Sequence, residues 1–244
     1  MATPALTAVT GIDDRVSTVD WAAAAGHLDA HGWALLPQLL APADCDRIAA
    51  FYPDDRRFRS RIVMARHGFG RGEYRYFAYP LPEPIATLRA SLYPRLVPIA
   101  NRWNESMNSD VRYPDRHEDF IARCHAAGQR RPTPLLLQYG EGDFNALHQD
   151  LYGALAFPLQ VAMLLSEPGQ DFTGGEFVLT KQRPRMQSRA EVVPLRRGDA
   201  VVFAVHNRPV QGSRGVYRVN LRHGVSRLRS GHRHTLGIIF HDAT

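Results

Sequence analysis

His148 and Asp150 stand two residues apart in "NALHQDLYG", residues 145–153, within an apolar setting. On a strand, residues i and i+2 point to one face, so this imidazole and carboxylate can converge on one ligand. They are two of the three side chains of a facial-triad Fe(II) site, which needs one more histidine. Zinc is a poorer match, because zinc sites favour nitrogen and sulfur donors. After Asp150 the chain offers His206, His223, His232, His234 and His241. In "YRVNLRHGVS", Tyr217, Val219, Leu221 and His223 share an apolar face, while Arg218, Asn220 and Arg222 share the other. His223 therefore faces the core, as a ligand or as a buried histidine. His206 precedes "NRPVQGSRG", a loop signature, and is expected at a strand end. In "GHRHTLGIIF", Arg233 and Thr235 share a face. An inward arginine needs an anion, since an unpaired buried charge is costly. A dicarboxylate cosubstrate would supply one, with Thr235 adding a hydroxyl donor.

Positioning these groups requires strands, and the chain changes texture to provide them. From Pro132 onward, "PTPLLLQYG", "FPLQVAMLLS", "GEFVLTK", "AEVVPL", "DAVVFAV", "YRVNLRHGVS" and "RHTLGIIFH" are short apolar or alternating runs divided by Gly, Pro and Asp. That pattern predicts a jelly-roll β core over 132–244. Residues 1–131 read as a helical buttress: "VDWAAAAGHLDAHG" as a helix ended by Gly32, then a short strand in "WALLPQLL". A second helix starts at Pro42, and "RHEDFIARCHAAG" is another. "IATLRASLYPRLVPIANRWNE" is helical but must be kinked or interrupted by Pro94 and Pro98. "FRSRIVMARHGFGRGEYRYFAYPLP" predicts a strand–loop–strand excursion. It could act as a substrate lid hinged at Gly68, Gly70 and Gly72, with Arg66, Arg71, Tyr74, Arg75 and Tyr76 as contacts; a solvated hairpin packing its tyrosines on the helices is the plainer reading. Gln149 and Tyr152, flanking the HxD, are further substrate candidates. One domain over 1–244 is the expected organisation, of α+β class with a mainly β core.

The motifs "HQD" at 148–150, "FTGGEF" at 172–177, "RGDAVVF" at 197–203 and "HGVSRLRSGHRHTL" at 223–236 resemble those of the Fe(II)- and 2-oxoglutarate-dependent dioxygenases. The order and spacing look like the prolyl-hydroxylase branch. There the basic residue holding the far carboxylate of 2-oxoglutarate lies ten positions after the distal histidine. Ten beyond His223 is Arg233; ten beyond His206 is Val216. Tyr139 resembles a tyrosine lining the cosubstrate pocket in that branch. The resemblance implies a double-stranded β-helix, iron held by His148, Asp150 and His223, and 2-oxoglutarate held by Tyr139, Arg233 and Thr235. O2 would be the co-reactant, and C–H hydroxylation the outcome. The whole chain, through "FRSRIVMARHGFGRGEYRYF", "GQRRPTPLLLQYG" and "IIFHDA", also resembles a bacterial oxygenase group labelled as acting on damaged DNA by oxidative demethylation. It departs from the AlkB-type demethylases, whose cosubstrate arginine lies further past the distal histidine: "GIIFHDAT" contains no arginine. A nucleobase, amino acid, peptide or small metabolite therefore all stand as substrate classes. A non-catalytic β-helix binding module and a cupin-type metal enzyme are the rival readings, although a cupin normally carries a histidine where this chain has Asp150.

The bulk properties fit an ordinary globular enzyme. The 244 residues are 44% hydrophobic and 22% charged. No apolar run approaches the roughly 18 residues of a membrane span. The first 18 residues lack the basic and apolar regions of a secretory signal. Cys45 and Cys124 form no CxxC pair, which excludes a zinc ribbon and makes a reducing cytoplasm the expected compartment. The net charge of +6 favours anionic partners, nucleic acid among them. Lys181 is the only lysine. So arginine-rich a chain suits phosphate or carboxylate recognition, or simply reflects compositional bias.

Overall fold

The computed structural model describes residues 11–213 and 215–244. It opens with α1 (Ile12–Thr18), α2 (Trp21–His31), β1 (Trp33–Leu36) and α3 (Pro42–Ala49). Asp20 caps α2 by accepting from the Ala23 N–H, and Gly32 ends it at φ 85°, a left-handed conformation suited to glycine. Next come β2 (Phe58–Val63), β3 (Gly70–Arg71), β4 (Glu73–Phe77), α4 (Glu83–Ser106) and α5 (His117–Ala126). The C-terminal part contains β5 (Leu135–Tyr139), β6 (Phe144–His148), β7 (Leu159–Leu164), β8 (Phe172–Gly174), β9 (Phe177–Gln182) and β10 (Arg189–Val193). It continues through β11 (Ala200–Ala204), β12 (Asn207–Gly212), β13 (Gly215–Val225), β14 (Leu228–Gly231) and β15 (Arg233–Ile238).

Two antiparallel sheets form the double-stranded β-helix. The larger runs β1-β11-β7-β15-β5-β4-β2, and the smaller β10-β9-β13-β6-β3, with β12 added beside β13. Strand alternation divides the larger sheet between two cores. Leu136, Val161, Met163, Leu236 and Ile238 point to the helices and join the α4 residues Leu88, Leu92 and Leu96. Tyr139, Leu164, Val201 and Phe203 point inward and meet Phe177, Leu179 and Val225 of the smaller sheet. Covered on both faces, β7 is buried along its whole length.

Two expectations change here. The β core is not confined to 132–244, because β1 pairs with β11, β4 with β5 and β3 with β6. The 59–77 segment is thus woven into both sheets rather than standing off as an excursion; only the turn around Gly68 lies between paired strands. The prolines do not interrupt α4, which is one helix of 24 residues. Each interior proline costs about 3 kcal/mol, and the buried face from Ile85 to Trp103 offsets it. Among the described residues, no helix is long and apolar enough to cross a membrane.

Candidate active site

His148 is the last residue of β6, and its cross-strand partner is His223 on β13. Pairing brings the two rings together, tilted by 46° with centroids 4.2 Å apart. Next to His223 the register shifts, and Gly224 fills the irregularity. A Cβ there would lie 2.6 Å from the Asn145 carbonyl oxygen, so only glycine lets β13 approach β6 this closely. The His148 Nδ1–H donates to the Ala146 carbonyl at 2.8 Å, which leaves Nε2 as the free inward nitrogen.

Asp150 does not share the strand with His148: it lies beyond the end of β6. Side-chain bonds hold it in place instead. The Tyr152 hydroxyl donates to Asp150 Oδ1 at 2.6 Å, and the Tyr76 hydroxyl donates to Tyr152 at 3.0 Å. Buried Gln129 donates to the Tyr152 and Leu155 carbonyls at 3.1 and 3.0 Å and accepts from the Leu155 N–H at 2.8 Å. Asp150 thereby comes within 3.5 Å of His148 Nε2 and 3.4 Å of His223 Nε2. The three potential ligand atoms all lie within 4.8 Å of one another, close enough to share a metal ion. Burial pushes the Asp150 carboxyl up, but His223, His148 and Tyr152 outweigh it and hold the group well below the usual carboxylate range. Burial and the neighbouring His148 lower His223, favouring the neutral imidazole that a metal requires.

The same cavity, of about 200 Å³, contains Tyr139, Arg233 and Thr235. Arg233 is 1% exposed. Its Nη1 donates to Thr235 Oγ1 at 2.5 Å, its Nε has no partner, and the Tyr139 hydroxyl is likewise buried and unpartnered. The guanidinium carbon stands 5.5 Å from the Tyr139 ring and 5.8 Å from that of Phe172. Glu176, the one acid acting on it, is bonded to Ser226. Burial lowers Arg233 to about 10, so it remains charged at neutral pH. A buried cation with an idle Nε, beside the unpaired Tyr139 hydroxyl and a Thr235 hydroxyl that still has its proton to donate, matches a carboxylate ligand. The metal-ligand cluster in the same cavity matches that ligand's chelating end.

Of the other sequence candidates, Gln149, Tyr152 and Tyr74 line the cavity. Gln149 is occupied structurally, donating to the Leu221 carbonyl at 2.6 Å and to Asn220 Oδ1 at 3.1 Å. Tyr76 acts through Tyr152. Arg75 is turned away, paired with Asp55 and lying over the Tyr52 ring. Arg66, just before the Gly68 turn, and Arg71, on β3, are exposed and outside the cavity. His206 lies beyond the end of β11, at a strand end as expected, but the segment after it is not a loop: Asn207–Gly212 forms β12, paired with β13. His241 Nδ1 accepts from the Phe157 N–H at 3.1 Å. Sequence reading missed Gln129, whose role depends on long-range contacts, and Phe69 and Gln160, which line the cavity. For Gln160 a signal existed: it is the one polar residue in "LQVAML".

A family model described as "Oxygenase, catalysing oxidative methylation of damaged DNA" matches residues 72–243. The uncharacterized protein Rv2227 of Mycobacterium tuberculosis is 52% identical over 191 residues, 77% of this chain and 82% of its own. Among solved structures, an oxidoreductase of the 2OG-Fe(II) oxygenase family from Burkholderia pseudomallei is 16% identical, with a TM-score of 0.52 and coverage of 93% of this chain and 94% of that one. A prolyl 4-hydroxylase from Phytophthora capsici is 16% identical, with a TM-score of 0.51 and coverage of 93% and 63%. These structures share the fold, as the jelly-roll expectation requires. The matched segment contains His148, Asp150, His223 and Arg233, and the chain belongs to this oxygenase family.

Proposed function

We propose that this oxygenase is an Fe(II)- and 2-oxoglutarate-dependent dioxygenase acting on a methylated base in DNA. His148, Asp150 and His223 hold the iron; Arg233, Thr235 and Tyr139 hold the far carboxylate of 2-oxoglutarate. The observation that carries the reading is Arg233, a fully buried guanidinium with an unpartnered Nε in the cavity of a metal-ligand cluster. When bound, iron and 2-oxoglutarate supply C–H oxidation by O2, coupled to decarboxylation of the diacid to succinate. The protein contributes position and exclusion of water. Tyr152 engages Asp150 Oδ1 and leaves Oδ2 for the metal. The Ala146 carbonyl fixes the His148 tautomer. Arg233 stays charged and would hold the diacid, while Phe177 and Phe203 pack beside His223.

For the substrate, the family description and the cavity rim point the same way. Phe69 lines the cavity yet is 48% exposed, and His67 stacks on it with ring centroids 5.3 Å apart. Arg66, before the turn, and Arg71, on β3 with Asp143 at 4.0 Å, flank this pair. Aromatic rings interleaved with cations suit a strand whose bases stack and whose phosphates are neutralised. Residues 1–244 act as one catalytic domain in this reading, supported by a core cluster running from Ile12 through α4 to Phe240. The two buried, unpaired thiols favour a reducing cytoplasm. Succinate release by the iron-loaded protein, with and without single-stranded oligonucleotides bearing methylated bases, tests the assignment. Stimulation that weakens steeply with salt is expected; no stimulation by any methylated DNA at low salt refutes the DNA substrate.

A further inference from the structure

The cavity holds a polar group that neither iron nor 2-oxoglutarate accounts for. Gln160, at the start of β7, is 4% exposed, and its Oε1 has no hydrogen-bond partner. A buried amide atom left unpaired costs about 1–3 kcal/mol, so the position calls for a ligand. Its place along the wall separates it from the diacid. Gln160, Ala162 and Leu164 share one face of β7, with Leu164 opposite Thr235 and Ala162 opposite Gly237. Four residue steps of strand, roughly 13 Å, therefore separate the Gln160 level from the Thr235 level. Ala162 and Gly237 line the cavity between them, with the Leu135 side chain packed against Gly237. On the neighbouring strand β11 the register partner of Gln160 is Phe203, whose ring centroid is 4.6 Å from that of His223. The amide thus lies on the metal side of the cavity, away from Arg233.

Charge narrows what can enter. Among the lining residues, Asp150 is the only acid and Arg233 the only arginine or lysine. The metal and the diacid use both. A substrate group carrying its own charge would be buried without a counter-ion; a free amino acid would bring two. We propose that Gln160 is a substrate-reading residue that pairs with an uncharged donor–acceptor edge, an N–H beside a carbonyl or ring nitrogen. This rests on the DNA reading above, and it places that edge on the inserted base.

The holoenzyme, with Fe(II) and 2-oxoglutarate, is assayed with single-stranded oligonucleotides and, in parallel, with N-methylated peptides. Each oligonucleotide carries one uncharged methylated base (N6-methyladenine or 5-methylcytosine) or one cationic base (1-methyladenine or 3-methylcytosine). The uncharged lesions should stimulate succinate release more strongly. Gln160→Leu should lower kcat/KM for the oligonucleotide about tenfold or more, while the KM for 2-oxoglutarate stays within about twofold. Without ligands, Gln160→Leu should melt no lower than wild type, because it removes an unpaired buried amide. Unchanged kcat/KM in Gln160→Leu would mean that the amide binds only water. A melting point several degrees lower would make Gln160 structural. A preference for cationic lesions would overturn the charge argument. Each of these three results leaves the DNA reading standing. Stimulation by N-methylated peptides alone, or by no DNA, would remove the DNA reading and with it the assignment of this edge to a base.

Discussion

Replacing Arg233 with methionine separates the two roles a buried guanidinium can have, structural partner or ligand anchor. Methionine keeps much of the stem volume and deletes the charge. Burial draws Arg233 from its ordinary 12.5 down to about 10, so holding the cation there costs about 3 kcal/mol. Within the protein the offsets are one bond to Thr235 and the faces of Tyr139 and Phe172. Removing such a charge without stranding an ionic partner should leave the ligand-free protein as stable as before or more so. Bound 2-oxoglutarate would lose two charge-assisted bonds at about 1.5–3 kcal/mol each. That weakens its Kd by roughly two to four orders of magnitude. Anaerobic calorimetric titration of 2-oxoglutarate into Mn(II)-loaded protein gives the Kd. Melting with and without ligand gives the stability, since a ligand at about 100 times its Kd stabilises by about 2.7 kcal/mol. If Arg233→Met unfolds many degrees early and still binds the diacid normally, the guanidinium is structural and the reasoning fails.

Tyr152→Phe removes the hydroxyl that fixes Asp150 Oδ1, and should weaken Fe(II) binding about tenfold, read by anaerobic metal titration, while the melting point moves little. Gly224→Ala forces a Cβ against the Asn145 carbonyl at the strand irregularity; metal affinity and melting temperature should both fall, and circular dichroism with metal titration checks the pair. His117 and His241 are each lowered to about 4 by burial, with Arg89 adding to the effect. Because the unfolded chain protonates them near 6.5, their contribution is complete above that pH and is lost as pH falls toward 4, by about 3 kcal/mol each. Denaturant melts of the ligand-free protein should show this acid slope, and it should flatten in His117→Gln.

The strands after Pro132 were legible because alternation and turn residues are local signals, and the His223 face followed from the same period of two. The Arg233/Thr235 pair was legible for that reason too, since an arginine on an inward face is anomalous wherever it occurs. What escaped was non-local. The pairing of β4 with β5 and of β3 with β6 joins segments separated by dozens of residues, and no pattern within "EYRYF" states which edge it will meet. Local spacing makes Asp150 a strand neighbour of His148, whereas Tyr152, Tyr76 and Gln129 hold it from three different segments. The same local view makes Tyr152 a substrate contact, although its hydroxyl is committed to Asp150. Nor did the prolines of α4 act as breakers, because burial of a long apolar face outweighs local propensity.

Anaerobic addition of Fe(II) and 2-oxoglutarate reports whether a shared ferrous site stands beside a cationic socket. Wild type should develop a weak visible charge-transfer band at one iron per chain, absent in His148→Ala and diminished in Arg233→Ala. A wild-type protein that binds iron without the band, or a His148→Ala variant that keeps it, would contradict the account.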